Sequence, residues 1–173
     1  MEFRFATIDD VDSIFDLIQT VGKDSSDIYH FSSSKDYYRD LVENHPCVVC
    51  CDGDKIVGSF LSYTGNEDSD NIYKLAGICD SSSAVIFKNY QVSPEYRGQK
   101  IGKKMGCMLW MKFIRDYDYA VATVHPYNIA SIKTLMALGF EIITLANIHG
   151  GKPRYIMCKN LREMKGADCL ILY

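Results

Sequence analysis

Val92-Ser93-Pro94-Glu95-Tyr96-Arg97-Gly98-Gln99-Lys100-Ile101-Gly102-Lys103-Lys104 closes an apolar run, turns on small residues and opens a basic helix. A helix N-terminus leaves about four backbone amides without intrahelical acceptors and carries roughly half a positive charge, so an anion docked there gains hydrogen bonds and field together. Gly98 and Gly102 are expected to let a ligand approach the main chain. Arg97, Lys100, Lys103 and Lys104 add side-chain charge within about two turns, which suits a ligand with several phosphates, such as a nucleotide-like cofactor. A turn ahead of a solvated basic helix also accounts for these letters when they stand alone.

Two familiar phosphate loops fail on the same residues. A P-loop needs Gly, four residues and Gly-Lys-Ser/Thr, whereas Gly98 and Gly102 enclose three residues and Lys104 stands where the hydroxyl belongs. The dinucleotide fingerprint needs three glycines at another interval. The segment instead resembles motif A of the GNAT superfamily of acyl-CoA-dependent N-acetyltransferases: Arg or Gln, two residues, Gly, one residue, Gly or Ala. Arg97 and Gly102 match its ends, and Lys100 replaces its middle glycine.

A second block, Thr123-Val124-His125-Pro126-Tyr127-Asn128-Ile129-Ala130-Ser131 followed by Leu135-Met136-Ala137-Leu138-Gly139-Phe140, resembles motif B of the same superfamily. Val121, Ala122 and Val124 read as a buried strand that Pro126 breaks, and Asn128 is placed to cap the following helix. Gly139 ends that helix as a left-handed cap, and Phe140 leads into the next strand. The resemblance implies an α/β (α+β) fold, with a central mixed, mostly antiparallel sheet of about six or seven strands, about four flanking helices and splayed central strands. It covers nearly the whole chain at the level of fold, with its specific letters between Tyr90 and Phe140.

Composition agrees with one compact unit. The 173 residues, 47% of them apolar, suffice for a single core. We read 1–160 as one acetyltransferase domain and 161–173 as a C-terminal extension, either part of that domain or a contact in a dimer. A net charge of −3 argues against nucleic-acid binding, since a duplex needs a broad basic face. Met1-Glu2-Phe3-Arg4 shows no secretory pattern and no apolar run approaches the ~20 residues of a membrane span, so a cytoplasmic protein without a membrane partner is expected. The seven cysteines lack paired metal-site spacing and are expected to be reduced core thiols, with no metal bound.

Along the chain, Phe3 to Thr7 reads as a strand, Asp9 to about Thr20 as a helix with Val11, Ile14, Phe15, Leu17 and Ile18 inward, and Lys35 to Asn44 as a second helix. Val48 to Cys51 and Ile56 to Tyr63 flank a turn at Asp52-Gly53-Asp54. Asn71 to Ile78 reads as a short helical insertion, and Ser81 to Ser83 as a linker. Ala84 to Val92 is the strand feeding motif A, and Arg97 to about Asp116 the long helix. Glu141 to Leu145 and Arg154 to Lys159 are the last strands.

The chemistry implied by the family is attack of an amine on an acetyl-CoA thioester. A free alkylamine at neutral pH lies about 3.4 units below its pKa, so presenting it unprotonated costs about 4.6 kcal/mol unless the site assists. The resemblance assigns the cofactor to Tyr90, Val92, Arg97, Gly98, Gln99, Lys100, Ile101, Gly102, Lys103, Asn128 and Ser131, with backbone near Tyr90 and Val92 binding pantetheine and the Val92 neighbourhood serving the oxyanion. Two usual proton handlers are missing: Ala84 to Gln91 contains no Asp or Glu, and the position of the family tyrosine is Leu135. Tyr127, His125 and Tyr90 are the catalytic candidates, with Ser131 nearby. Each has a plainer reading as a structural, cofactor-edge or core residue, and catalysis by positioning alone is a further alternative. The acceptor is a primary amine on a small molecule, amino acid, polyamine or peptide. Asp24, Asp27 and Glu67 to Asp70 suit a cationic acceptor or merely solvate the surface. A catalytically reduced acyl-CoA-binding or regulatory domain is the other reading, and a homodimer is left open.

Overall fold

A computed structural model describes residues 1–24, 33–65 and 70–163. Asp27, Glu67, Asp68, Cys169 and the rest of 164–173 lie outside the described residues, as does the side chain of Asp24.

Seven strands, β1 (Glu2–Phe5), β2 (Val48–Asp52), β3 (Lys55–Tyr63), β4 (Ala84–Val92), β5 (Tyr119–Val124), β6 (Glu141–Ile148) and β7 (Lys152–Asn160), form one sheet in the order β1-β2-β3-β4-β5-β7-β6. Every pairing is antiparallel except β4 with β5. The described helices are α1 (Val11–Asp24), α2 (Lys35–Asn44), α3 (Ile72–Leu75), α4 (Ile101–Phe113) and α5 (Ile129–Ala137). This is the expected mixed sheet, with α3 as the inserted turn that brings the helices to five.

Alternation along the strands divides the core. Val85 and Phe87 pack with Met105, Leu109 and Trp110 of α4, whereas Ala84 and Ile86 face Ile72 and Tyr73 of α3. On β2, Cys50 faces the α4 side and Val49 and Cys51 the α1–α2 side, where they meet Ile14, Ile18, Tyr38 and Leu41. Each such Leu, Ile or Phe contributes about 1.5–3 kcal/mol of burial. The α1 stripe of Val11, Ile14, Leu17, Ile18 and Val21 repeats at helical spacing and is wholly buried. Its entry is a 3-10 turn, Ile8–Asp10, in which the Asp10 carboxylate accepts the Thr7 amide at 2.8 Å.

Three expectations are corrected. The long helix begins at Ile101 rather than Arg97, because Gly98 and Lys100 both adopt left-handed backbone, φ 80° and 60°, and its first ordinary bond runs from Lys104 N–H to Lys100 O. The last strands are longer, with Pro153 inside β7. It lies beyond the final β5 pair, Val124 with Tyr155, where a missing N–H breaks no ladder. Cys47, Cys50, Cys51, Cys79 and Cys158 are free, but buried Cys107 is disulfide-bonded, so not all seven thiols are reduced.

Candidate active site

β4 and β5 pair from Ala84 with Tyr119 to Phe87 with Ala122, then part, and among the described residues 88–92 of β4 face no strand on that edge. The gap opens into a cleft of about 840 Å³ bounded by β4, β5, α5 and the loop into α4, within the range of small-molecule sites. A bulge shapes its β4 wall. Leu61 pairs with Lys88 and Ser59 with Gln91, so Asn89 and Tyr90 of β4 stand opposite Phe60 alone on β3, and Asn89 takes φ 41°. The extra residue turns Tyr90 onto the face of Phe87, three positions earlier, and its ring centroid lies 5.2 Å from that of Phe60.

Tyr90 rests against Gly102, and its hydroxyl hydrogen-bonds to Thr134 of α5. Gly102 therefore makes room for an aromatic ring as well as lining the cleft. Burial pushes the Tyr90 hydroxyl up from its ordinary value, so it remains protonated at neutral pH. At Gly98 the space around an added β-carbon is open.

The loop between Tyr96 and α4 gathers donors. Among the described residues, the N–H groups of Gly98, Gln99 and Lys100 make no backbone hydrogen bond. Arg97 Nε donates to Val92 O at 3.3 Å, tying this loop to the end of β4, and Arg97, Lys100 and Lys103 line the cleft. Ser93 N–H donates to Val57 O of β3 at 2.9 Å. Consecutive strand amides point to opposite edges, so the Val92 N–H faces the gap.

On the opposite wall, Asn128 Oδ1 accepts the Ser131 amide at 3.2 Å and caps α5. His125 is buried, and its Nδ1 accepts the Tyr127 N–H at 3.2 Å. Burial, then Arg154, push the His125 pKa down. The neutral ring thus carries its proton on Nε2 and offers a donor there. Tyr127 is 72% exposed, does not line the cleft, and lays its ring against His125 with centroids 5.5 Å apart. Of the cofactor residues expected from sequence, all but Gln99 line the cleft; of the catalytic candidates, Tyr90 and His125 do.

Sequence reading overlooked the residues closing the other end, Lys88, Thr123, His149 and Arg154. His149 begins the β6–β7 turn with φ 50°. Asp70 Oδ2 lies 2.6 Å from its Nδ1 and Asp70 Oδ1 accepts its backbone N–H at 3.2 Å, while Nε2 stands 3.3 Å from Thr123 Oγ1. No group of three or more His, Cys, Asp or Glu among the described residues could hold a metal ion, and no described helix is long and apolar enough to cross a membrane.

The sequence model of the acetyltransferase (GNAT) family matches residues 11–140. No curated protein sequence matches the chain significantly. Among solved structures, yncA of Salmonella typhimurium, holding its cofactor acetyl-CoA, superposes with a TM-score of 0.72 at 20% identity over 94% of this chain and 95% of that one. Diaminobutyrate acetyltransferase from Paenibacillus lautus, in complex with L-2,4-diaminobutyric acid and coenzyme A, gives 0.71 at 17% over 94% and 96%. Naa20 from Chaetomium thermophilum, in complex with a bisubstrate analogue, gives 0.70 at 15% over 97% and 90%. At these identities the likeness is one of fold.

Proposed function

The chain belongs to the acetyltransferase (GNAT) family, and from that premise we propose that it moves an acetyl group from acetyl-CoA to a primary amine by direct attack in a ternary complex. The observation that carries this reading is the gap between β4 and β5 with, at its mouth, the amides of 98–100, which among the described residues make no backbone hydrogen bond. The residues fit a CoA pyrophosphate. Left-handed Gly98 and Lys100 flank Gln99 and give the loop the character of an anion nest, to which Arg97, Lys100 and Lys103 add charge. Gly98 to Lys103, with Asn128 and Ser131, would hold that end, and the free edge of β4 around Tyr90 and Val92 would accept pantetheine as an added strand.

Bound acetyl-CoA supplies the activated thioester. The Val92 N–H, directed into the gap, is suited to the oxyanion that develops as the amine adds. Tyr90, neutral and donating, suits the leaving sulfur better than the amine proton. We read 1–160 as the transferase domain and 161–173 as its extension, and place the protein in the cytoplasm, which the free thiols support and the Cys107 disulfide opposes. A small-molecule or peptide amine agrees with the diaminobutyric acid and bisubstrate analogue held by the structural neighbours.

The test is release of free CoA from acetyl-CoA with a panel of diamino acids, polyamines and N-terminal peptides. Turnover above the amine-free rate supports the transferase. Acetyl-CoA binding without turnover on any amine overturns it in favour of an acyl-CoA-binding domain. No thermal shift with acetyl-CoA would remove both readings.

A further inference from the structure

We propose that His149 takes the proton from the acceptor amine and that Asp70 is its positioning residue. This deepens the transferase reading and rests on it. The family's carboxylate on the strand of β4 is missing here, since Ala84 to Gln91 contains neither Asp nor Glu, yet an alkylammonium must lose a proton before it can attack.

Three features of the fold converge on this ring. His149 belongs to the cleft wall, reached from the β6–β7 turn and not from β4. Its Nε2 meets Thr123 Oγ1, one residue past the last β4–β5 pair, so the nitrogen is presented where the strands part. Asp70 grips the residue twice, at Nδ1 and at the backbone N–H, and holds it in a left-handed conformation that a non-glycine residue adopts only at some cost. With a carboxylate on Nδ1, the neutral tautomer keeps its proton there and leaves Nε2 as an acceptor. His125 has the opposite arrangement, because a backbone N–H occupies its Nδ1.

The charges around His149 suit a base. Burial, the largest influence, brings the His149 pKa below its ordinary value; Asp70 from the loop before α3 raises it in part, and Arg154 of β7 and Lys88 of β4 lower it further. The ring is therefore neutral near pH 7. In the reaction, Nε2 accepts one proton from the ammonium and becomes imidazolium. The freed nitrogen pair attacks the thioester carbon, forming C–N as C–S breaks, while the Tyr90 hydroxyl gives its proton to the departing sulfur and takes the second nitrogen proton in its place. His149 then returns its proton to water, so that ammonium and thioester yield amide, thiol and one proton.

The experiment measures kcat and kcat/KM against pH for the full chain and for His149→Ala, His149→Gln and Asp70→Asn, with the amine turned over fastest in the panel above. Both His149 variants should lose about 10²–10³-fold in kcat, the usual range of general-base catalysis, while binding acetyl-CoA as the parent does. Added imidazole should restore part of the His149→Ala rate. In Asp70→Asn the acidic limb should move to lower pH, because the charge that raises the His149 pKa is gone. Folded His149→Gln with parental kcat and an unchanged acidic limb would overturn the proposal. So would His149 variants that lose activity only through unfolding, with an Asp70→Asn profile superimposable on the parent. Absence of turnover in the parent refutes the transferase reading itself, and this inference falls with it.

Discussion

The phenol ring of Tyr90 lies against Gly102 so closely that any β-carbon at position 102 would overlap it. The contact couples the β4 bulge to the first turn of α4. Gly102→Ala must push the ring away from Phe60 and Thr134, and overpacking of this kind destabilises by about 1–3 kcal/mol. The displaced ring also narrows the cleft. We expect a lower Tm and weaker acetyl-CoA binding by calorimetry. Gly102→Ala combined with Tyr90→Ala should lose less than the two single changes summed, because Tyr90→Ala removes the ring that the added β-carbon would strike.

Lys100 holds φ 60° without being glycine, a conformation costing about 1–2 kcal/mol for an L-residue. Lys100→Gly removes that strain at an unfolded-state entropy cost of about 0.5–1 kcal/mol. The net expectation is a gain of up to about 1 kcal/mol in denaturant unfolding, together with a higher acetyl-CoA Kd from the lost charge. Stability and affinity should therefore move in opposite directions. Gly98→Ala meets no steric neighbour but must hold φ 80°, and should lose about 1–2 kcal/mol.

These two positions show how far the sequence could be read. Arg97, Gly98 and Gly102 mark an anion loop because its chemistry is local, and the strands 84–92 and 119–124 announce themselves by apolar runs. The handedness at Lys100 and the bulge at Asn89 leave no such signal, since an ordinary lysine and asparagine occupy them. Asp70 and His149 are farther still from legibility. Their contact spans 79 residues, and it exists because the β6–β7 turn meets the loop ahead of α3. His149-Gly150-Gly151 reads as a turn, and only the tertiary fold supplies its carboxylate.

Arg4 and Asp10 form a two-pronged pair at 2.7 and 2.8 Å. The Arg4 hydrogen bonds hold the Asp10 pKa down from the ordinary 3.8 to about 2, against a burial penalty that raises it, with the Thr7 amide assisting. The Arg4 side chain is 37% exposed, so solvent screening reduces the contribution to about 1–2 kcal/mol. Because the folded pKa is depressed, this stability is complete above about pH 4 and is lost as pH falls toward 2. Asp10→Asn should lower stability at pH 7 by about that amount and differ little from the parent near pH 2, as urea unfolding at the two pH values can show.

Thiol reactivity should follow burial. Cys79 is exposed, whereas burial pushes Cys47 up to about 12 and Cys50 and Cys158 each up to about 11. At pH 8 a thiol of pKa about 11 is thiolate in about one molecule in a thousand, against roughly a quarter for a free cysteine. Iodoacetamide on the native protein, followed peptide by peptide in the mass spectrometer, should therefore modify Cys79 well before Cys47, Cys50 or Cys158. Denaturation should bring those three to the rate of Cys79, and Cys107 should react only after reduction. Rapid native alkylation of Cys50 would contradict its burial between β2 and α4, and with it the close approach of Gly58 to Ile101 and Met105 that fixes the start of α4 against the sheet.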